Sequence, residues 1–308
     1  MGNCLVTKLK GSTSNNELLR IGEMRMRIAK VENPTDANRG FGISVNKPVV
    51  LEIVGDGYFT DKTLTVNKGK TITLNADVNG VWVSNDNVEI AILDKYSITA
   101  LSSFYPQTSA AYGSRLYLNL SDLKYSTALT SLNLAGTQVT GDIANLKGLT
   151  ALTSLNLRNT QVTGDIAAIS PLSKLKDAQL NHVTGDISAI NNTKLTSIII
   201  SKSGGLSGDI AKLKSDFIYL GIDSDTTSKF TWSSRDTNNY IFGNSGSPVL
   251  LSNLDDMLIN MSQCRSGITS TSPIYYKSIQ YQGNRTSASD DAVATLQQKG
   301  YTISIAKA

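Results

Sequence analysis

The clearest pattern in the chain is a block of hydrophobic and polar positions that recurs through its middle. Residues 128–143, with the sequence ALTSLNLAGTQVTGDI, return almost letter for letter as residues 151–166, at an offset of 23 residues. A third copy covers residues 174–187 with two residues deleted, and a fourth covers residues 194–210. Because the copies keep their aliphatic positions, the pattern predicts four similar units that lie side by side.

The positions within one copy predict its local structure. Leu132 and Leu134 alternate with polar residues, which is typical of a short strand with one buried face. Gly141 then accepts a positive φ at little cost, Asp142 is a good helix N-cap, and apolar residues at helical spacing follow from Ile143. Each unit is therefore predicted to be a strand, a turn and a short helical segment. Such a unit cannot bury its apolar face alone, so the units must stack.

Over residues 115–222 the chain resembles the leucine-rich-repeat family, because its Leu-x-x-Leu-x-Leu strands recur every 21 to 23 residues. Residues 116–120 resemble a first strand, and residues 217–222 resemble a fifth, degenerate unit. The resemblance implies a short solenoid whose strands line a concave sheet. Both ends of so short an array need caps.

The region before the repeats is rich in β-strand patterns. Alternating or β-branched runs cover residues 24–28, 49–54 and 71–74, and Gly-Asp and Asn-Lys-Gly sequences lie between such runs as turns. We therefore predict an N-terminal antiparallel β domain over residues 1–105 and a repeat array over residues 106–222. The pattern leaves open whether the β region is one domain or two.

The region after the repeats, residues 223–308, is predicted to be a C-terminal cap. Residues 254–261 have a helical pattern, and Ser287 with Asp290 resembles a capping box that starts a second helix. Gly300 is expected to end that helix, and residues 301–305 to form a last strand. The predicted fold class is therefore β-rich α/β, a short leucine-rich-repeat solenoid with an antiparallel β domain before it and a capping region after it.

The register of the repeat strands predicts which side chains point away from the core. They are Ser131, Asn133 and Ala135, then Ser154, Asn156 and Arg158, then Asp177, Gln179 and Asn181, then Ser197, Ile199 and Ser201, with Tyr219 extending the row. Most of these side chains are small and polar, whereas binding hot spots favour Trp, Tyr and Arg. The candidate binding surface is therefore Asn133, Asn156, Arg158, Gln179, Ile199 and Tyr219, with a purely solvated spacer surface as the alternative.

The residues that could carry catalysis have structural explanations. The repeated aspartates, Asp142, Asp165, Asp186 and Asp209, form a ladder that suits either a cation site or a row of N-caps, and we favour the N-caps. His182, the only histidine, follows a strand and is expected to be a turn residue. The carboxylate pairs at 255–256 and 290–291 fall where helix starts are predicted. We therefore predict no enzyme activity, no metal and no cofactor.

Composition adds limits on partners and location. The chain has 308 residues, a net charge of +4, and two cysteines, Cys4 and Cys264, which are too sparse for a disulfide framework. No basic stripe with interleaved aromatics suggests nucleic acid. No window of 18 apolar residues and no apolar leader is present, so we expect a soluble protein outside the usual secretory route.

The first residues carry a second resemblance. The opening MGNCLVTKLKG, followed by Asn15-Asn16 and Leu18-Leu19, resembles the start of virion and prophage proteins of phages that infect gut Bacteroidetes. Residues 287–305 likewise resemble the end of repeat proteins from that bacterial group. The first resemblance implies that the N-terminal segment docks the protein onto a particle. The candidate attachment residues are Cys4, Leu5, Val6, Lys8, Leu9 and Lys10.

Taken together, these patterns favour a structural or binding component of a phage virion: a fibre, an appendage or a capsid-decorating protein. The partners expected are other virion proteins through the N-terminal region, and a host-surface glycan or protein through the repeats. A homo-oligomer without membrane insertion is also expected. The rival hypothesis is a bacterial leucine-rich-repeat adhesin or scaffold, located at the cell surface or in the cytoplasm.

Overall fold

The computed structural model describes nine strands before the repeats and then residues 116–223, 227–246, 249–267 and 274–307. The nine strands are β1 Arg25–Ile28, β2 Gly40–Val45, β3 Val49–Val54, β4 Gly57–Phe59, β5 Thr65–Val66, β6 Lys70–Leu74, β7 Gly80–Val83, β8 Val88–Ile92 and β9 Leu101–Gln107. Their pairings with one another are antiparallel, as in β1 with β8 and β3 with β6. The attachment role of this region stays a prediction.

The repeats contribute alternate strands to two parallel sheets. β10 Leu116–Tyr117 comes first and pairs antiparallel with β1. The strands of the two parallel sheets are β11 Ser131–Asn133, β12 Thr140–Asp142, β13 Ser154–Asn156, β14 Gln161–Asp165, β15 Asp177–Asn181, β16 Val183–Asp186, β17 Ser197–Ser201, β18 Leu206–Asp209 and β19 Tyr219–Asp223. In the long sheet, β9, β11, β13, β15, β17 and β19 are neighbours in that order, all parallel. In the second sheet β12, β14, β16 and β18 are neighbours. The predicted stacking of the units is confirmed.

The aliphatic positions of the repeats form continuous buried ladders between the two sheets. Leu132, Leu155, Ala178, Ile198 and Leu220 line up at one position, each at most 5% exposed. The next inward positions and those of the second sheet form similar rows: Leu134, Leu157, Leu180, Ile200 and Ile222, then Val139, Val162, Val183, Leu206 and Phe230. Since each side chain packs on its equivalents in the adjacent repeats, the hydrophobic gain is realised only when the units stack.

The predicted helical segments are 3-10 helices rather than α-helices. They are η1 Leu120–Leu123, η2 Ile143–Leu146, η3 Ile166–Ile169, η4 Ile187–Asn192 and η5 Ile210–Lys212. A connection of this length has room for only about one turn, and the tighter 3-10 turn is the usual solution for short pieces. Their aliphatic residues, such as Ile143 and Leu146, complete the core.

The aspartate ladder serves as a series of N-caps, as predicted. Asp142 Oδ1 accepts a hydrogen bond from Ala144 N at 2.7 Å, and Asp165 Oδ1 accepts one from Ala167 N at 2.8 Å. Asp186 and Asp209 repeat the same contact in the next two units. Each carboxylate therefore satisfies an amide that the start of a helix leaves without a partner.

The glycine before each aspartate has a second role that its sequence position did not reveal. Gly164 has φ +128°, and a Cβ on it would lie within 3.0 Å of Asp142 Oδ1 in the preceding repeat. The same collision would occur between Gly185 and Asp165, and between Gly208 and Asp186. Each Gly-Asp pair thus interlocks with its neighbour, because the missing Cβ leaves space for the carboxylate that caps the previous helix.

Parallel stacking continues beyond residue 222, where we predicted the array to end. The remaining strands are β20 Lys229–Thr231, β21 Tyr240–Ile241, β22 Gly243–Gly246, β23 Val249–Leu251, β24 Arg265–Ser266, β25 Ser278–Gln282 and β26 Thr302–Ala306. Strand β22 extends the long sheet beside β19, and β20, β23, β25 and β26 extend the second sheet. The stacking continues beyond the leucine pattern because aromatic side chains such as Phe230, Trp232 and Phe242 fill the core in place of leucine.

Two α-helices pack against each other in this region: α1 Leu254–Gln263 and α2 Asp290–Gln298. The first agrees with the predicted helix. The predicted capping box at Ser287 is wrong, because Thr286 is the cap: its hydroxyl accepts from Ala288 N at 3.2 Å at the start of a 3-10 turn, η7 Ser287–Ser289. Gly300 has φ +89° and ends α2, as predicted.

A buried arginine joins the last repeat to the C-terminal region. Arg235 is 4% exposed, and its guanidinium donates hydrogen bonds to carbonyl oxygens of Leu213 at 2.6 Å, Lys214 at 3.0 Å and Tyr240 at 3.2 Å. Burial lowers the pKa of this guanidinium from its ordinary value. The carbonyls after η5 are thereby satisfied without a helix to receive them.

In the described part of the chain, no helix has both the length and the apolar character required to span a bilayer.

Candidate functional site

The outward face of the long sheet carries two rows of side chains set by the strand register. Asn133, Asn156, Gln179 and Ile199 stand opposite one another in one row, which continues at Gly221. Ser131, Ser154, Asp177, Ser197 and Tyr219 form the neighbouring row. The structure therefore brings four of the six candidate residues into one line and places Tyr219 in the other row.

Two members of the first row also hold the backbone at the end of their strands. Asn133 Oδ1 accepts from Ala135 N, and Asn156 Oδ1 accepts from Arg158 N, both at 3.1 Å. These contacts are Asx turns, in which a side-chain oxygen takes the place of a backbone acceptor. The oxygens of both asparagines are thus used within the repeat, while Gln179 and Ile199 are half-buried.

Arg158 lies on the same face and is held by an ion pair. Its Nη2 is 3.4 Å from Asp223 Oδ2, and both side chains are about half exposed (44% and 48%). An ion pair this exposed contributes little to stability, in the range of about 0–1 kcal/mol. Its main effect is to orient the guanidinium across the strands between β13 and β19.

The prediction that Tyr219 extends an open binding row is wrong. Tyr219 is only 5% exposed, its ring centroid lies 4.8 Å from that of Tyr276, and its hydroxyl is 2.6 Å from Ser245 Oγ. Burial raises the pKa of Tyr219, although the Ser245 hydrogen bond opposes the shift. A segment far along the chain, η6 Ile274–Lys277, crosses this end of the sheet, and repeat register alone could not foresee it.

The last predicted outward position of two strands is also buried. Asn181 is 1% exposed and donates from Nδ2 to Thr160 O at 2.7 Å, and Ser201 is 3% exposed. The next residues, His182 and Lys202, have positive φ values of +50° and +48°, and the equivalent residue of the first repeat, Gly136, also has a positive φ of +70°. The chain turns sharply at this point in all four repeats, but the residue before the turn is buried only in the third and fourth. His182 is therefore a turn residue, as predicted.

An open groove of about 730 Å³ lies at the edge of the long sheet where strands β15, β17 and β19 begin. Its lining is charged or hydroxylated throughout: Lys176, Asp177, Thr193, Lys194, Thr196, Lys214 and Asp216. Its volume is in the range of about 300–1,000 Å³ that is usual for small-ligand sites. Sequence reasoning missed this groove.

The groove is formed where the repeats depart from their own pattern. The backbone N–H groups of Leu149 and Leu172 each donate to the carbonyl oxygen three residues earlier. Thr193 N makes the same hydrogen bond to Ile190 O at 3.0 Å, so this threonine occupies the position that leucine has in the earlier repeats. The following turn is one residue shorter, and Leu195 N donates to Thr193 Oγ1 at 3.2 Å instead of to a backbone carbonyl. The fourth repeat therefore has no leucine at the position where Leu149 and Leu172 pack at this edge in the second and third repeats.

The lysines of the groove are a further departure. The two near-identical copies have Ala-Leu-Thr at residues 128–130 and 151–153, where the next copies have Lys174-Leu-Lys176 and Lys194-Leu-Thr196. This difference between the copies is the feature of the sequence from which the groove could have been predicted. Lys214 is fixed, because its Nζ lies 3.3 Å from Thr193 O and 3.5 Å from Asp216 Oδ1, and its side chain is 17% exposed.

The two carboxylate pairs that had been considered for catalysis are engaged in the C-terminal region. Asp255 accepts from Thr286 N at 3.0 Å, from Thr286 Oγ1 at 2.6 Å and from Ser289 Oγ at 2.5 Å. Asp290 pairs with Arg285. Burial works to raise the pKa of Asp255, but the hydrogen bonds from Ser289 and Thr286 together hold it below its ordinary value. One carboxylate of each pair thus joins structural elements.

The described residues contain no group of three or more His, Cys, Asp or Glu side chains placed to hold a metal ion. Cys264 is buried and free, and burial raises the pKa of its thiol. The candidate attachment segment, with Cys4, Leu5, Val6, Lys8, Leu9 and Lys10, lies outside the described residues. Its docking role stays a prediction.

Comparison with known proteins supports the repeat assignment. A family model described as leucine-rich repeats in two copies matches residues 127–174, and this match shows that the chain contains leucine-rich repeats. No curated protein matches the sequence significantly. The virion resemblance of the N-terminal segment receives no support from the family match and stays a prediction.

Three solved structures similar to the chain have low TM-scores. An internalin from Listeria monocytogenes is 17% identical over 70% of this chain and 85% of its own, with a TM-score of 0.29. The BIR2 ectodomain from Arabidopsis thaliana is 21% identical over 49% of this chain and 70% of its own, with a TM-score of 0.32. A plant ice-binding protein is 20% identical over 44% and 55%, with a TM-score of 0.26.

Proposed function

We propose that this leucine-rich-repeat chain is a non-enzymatic binding or scaffold protein that presents the outward face of its long sheet and the groove at its edge to a partner. The observation that carries the proposal is the continuous parallel sheet from β9 to β22, which aligns equivalent side chains of successive repeats in straight rows. Such a rigid array displays a surface much larger than any single unit provides.

Within that role, a structural component of a phage virion is the more specific function we favour. Support comes from the N-terminal resemblance to virion proteins, which implies that the first segment docks while the repeats face the medium. A stacked core with fully buried aliphatic ladders suits a protein exposed outside cells. On this proposal the partners are other virion proteins at one end and a host-surface molecule at the other, and the protein assembles as a homo-oligomer.

The test is mass spectrometry of purified particles, combined with labelling of intact particles by an antibody against residues 116–307. The expected result is the chain in particle fractions, with label on their surface. Absence from particles would refute the virion role. The rival function, a bacterial leucine-rich-repeat adhesin or scaffold, then predicts surface label on intact bacteria or recovery with a cellular complex.

A truncation tests whether the N-terminal segment docks the protein while the repeats fold independently of it. Removal of residues 1–20, which include the candidate attachment segment and end before β1, should abolish incorporation into particles and leave the repeat stack folded, because the buried ladders begin at Leu118. Circular dichroism of the truncated chain provides the control for folding. Incorporation of the truncated chain at the normal level would place docking elsewhere.

A further inference from the structure

We propose that the groove at the start of β15, β17 and β19 binds an acidic glycan, a hydroxylated sugar chain that carries carboxylate or sulfate groups. The inference rests on the proposed binding function and names the site and the ligand class. The groove lies on one edge of the long sheet and is widely open to solvent, so an extended ligand can reach it without entering an enclosed cavity.

The charge pattern of the lining selects the chemical class. Lys176 and Lys194 supply two ammonium groups and Asp177 supplies a carboxylate, while Lys214 and Asp216 line the groove as an ion pair with each other. An ammonium group binds an acidic substituent, and a carboxylate accepts hydrogen bonds from sugar hydroxyls. A net charge of only one unit does not suit a dense polyanion such as nucleic acid, which needs many cationic contacts. A sugar chain that carries a few acidic groups among many hydroxyl groups matches this mixture of ammonium and carboxylate groups.

The lining has no aromatic or aliphatic side chain to anchor a peptide or protein, and its apolar surface consists of carbon atoms of Lys, Asp and Thr. Every lining residue is Lys, Asp or Thr, and none of them is aromatic or aliphatic. Protein partners are held mainly by aromatic or arginine anchors in water-excluding pockets. A polar ligand that keeps part of its hydration is bound through hydrogen bonds and charge instead, and its binding weakens with salt.

The groove is ordered rather than a chance cluster of surface lysines. Asn191 Oδ1 accepts from Lys214 N at 2.9 Å, and its Nδ2 donates to Lys212 O at 2.9 Å, so one asparagine fixes the turn that carries Lys214. Lys176 is placed by its backbone N–H, which donates to Thr153 O at 2.8 Å. Lys176 and Lys194 stand where the near-identical first two repeats have threonine and alanine, so the stack itself does not require these two lysines.

The experiment measures binding of the full chain to four probes by isothermal titration or biolayer interferometry. The probes are a short oligogalacturonate, a sulfated galactan oligosaccharide, a neutral galactan oligosaccharide of equal length, and poly-glutamate. We expect binding to at least one acidic sugar and little to the neutral sugar or the peptide. The better of the two acidic sugars identifies the acid group.

Matched variants locate the site. Lys176→Gln with Lys194→Gln should weaken binding of the acidic sugar about tenfold. Lys124→Gln with Lys147→Gln removes the same charge from exposed positions elsewhere in the repeats and should leave binding unchanged. Raising NaCl from about 0.1 M to about 1 M shortens the Debye length from about 10 Å to about 3 Å and should weaken binding further.

The contrary outcomes separate the two proposals. Equal binding of the neutral sugar or of poly-glutamate, or no binding of either acidic sugar, would overturn the glycan inference. Unchanged binding by the Lys176/Lys194 variant would place the glycan elsewhere on the protein and overturn the groove as its site. None of these results bears on the presence of the chain in particles, which tests the proposed function separately.

Discussion

Replacement of Gly164 by alanine tests the interlock between successive repeats. Gly164 has φ +128°, and a Cβ there would lie within 3.0 Å of the Asp142 carboxylate that caps η2. The strained backbone costs about 1–3 kcal/mol. Displacing Asp142 from its hydrogen bond with Ala144 N adds about 1 kcal/mol, the usual value of an N-cap. We expect the free energy of unfolding to fall by about 2–4 kcal/mol in total.

Gly136 supplies the matched control. It has φ +70°, so alanine there also meets a positive φ, but a Cβ would have nothing within 4 Å. Gly136→Ala should therefore cost about 1–2 kcal/mol, the backbone term alone. The excess cost at Gly164 contains both the collision and the less favourable backbone at φ +128°, and the double-mutant cycle separates the two.

A double-mutant cycle identifies the atom responsible. Asp142→Ala should cost about 1 kcal/mol, the loss of the cap. Because Gly164→Ala already displaces that cap, the double variant should be no less stable than Gly164→Ala alone, which is a non-additivity of about 1 kcal/mol. Guanidinium unfolding followed by circular dichroism measures all four proteins. Equal costs at Gly136 and Gly164, or strictly additive costs in the cycle, would refute the interlock.

Three further changes have directions fixed by the structure. Arg235→Met should lower the free energy of unfolding by about 3–5 kcal/mol, since buried carbonyls lose their donors, whereas Arg265→Met at an exposed position should change it little; equal effects in thermal unfolding would contradict this. Lys202→Gly should raise stability by up to about 1 kcal/mol, because glycine accepts φ +48° without strain, and a lower melting temperature would argue against it. The pKa of Asp255 is lowered in the folded protein, so its contribution is complete above the ordinary value of 3.8 and is lost as pH falls through the folded value. Asp255→Asn should therefore destabilise the protein at neutral pH and flatten the acid side of a stability-against-pH curve, and a parallel downward shift at all pH values would contradict that assignment.

Much of the repeat stack follows from local pattern. Leu132, Leu155 and Ile198 recur at the position that faces the core, and the structure buries each of them. Asp142 and its equivalents precede apolar residues at helical spacing, and each caps a helix. His182 follows a strand end and lies in a turn. These features depend on contacts within one repeat or between equivalent positions, so periodicity is sufficient to predict them.

The candidate site was predicted less completely, because it depends on contacts between distant segments. Tyr219 has the register of an exposed residue, but Tyr276, 57 positions later in the chain, covers its ring. The groove of Lys176, Lys194 and Lys214 exists only when three turns from successive repeats lie side by side. The stacking past residue 222 is carried by Phe230 and Trp232, which have no leucine pattern to announce them.

By itself, the sequence determined that similar units stack and which of their aliphatic residues are buried, since a repeated one-sided strand leaves no other way to remove that face from water. Only the tertiary structure decided that the segment around Tyr276 covers one end of the long sheet, that Arg235 satisfies the carbonyls after the last repeat, and that a shortened turn opens a charged groove. The physical reason is range. Strand alternation and helix capping depend on residues a few positions apart. The covered sheet end, the satisfied carbonyls and the open groove depend instead on which distant side chains the stacked units bring together.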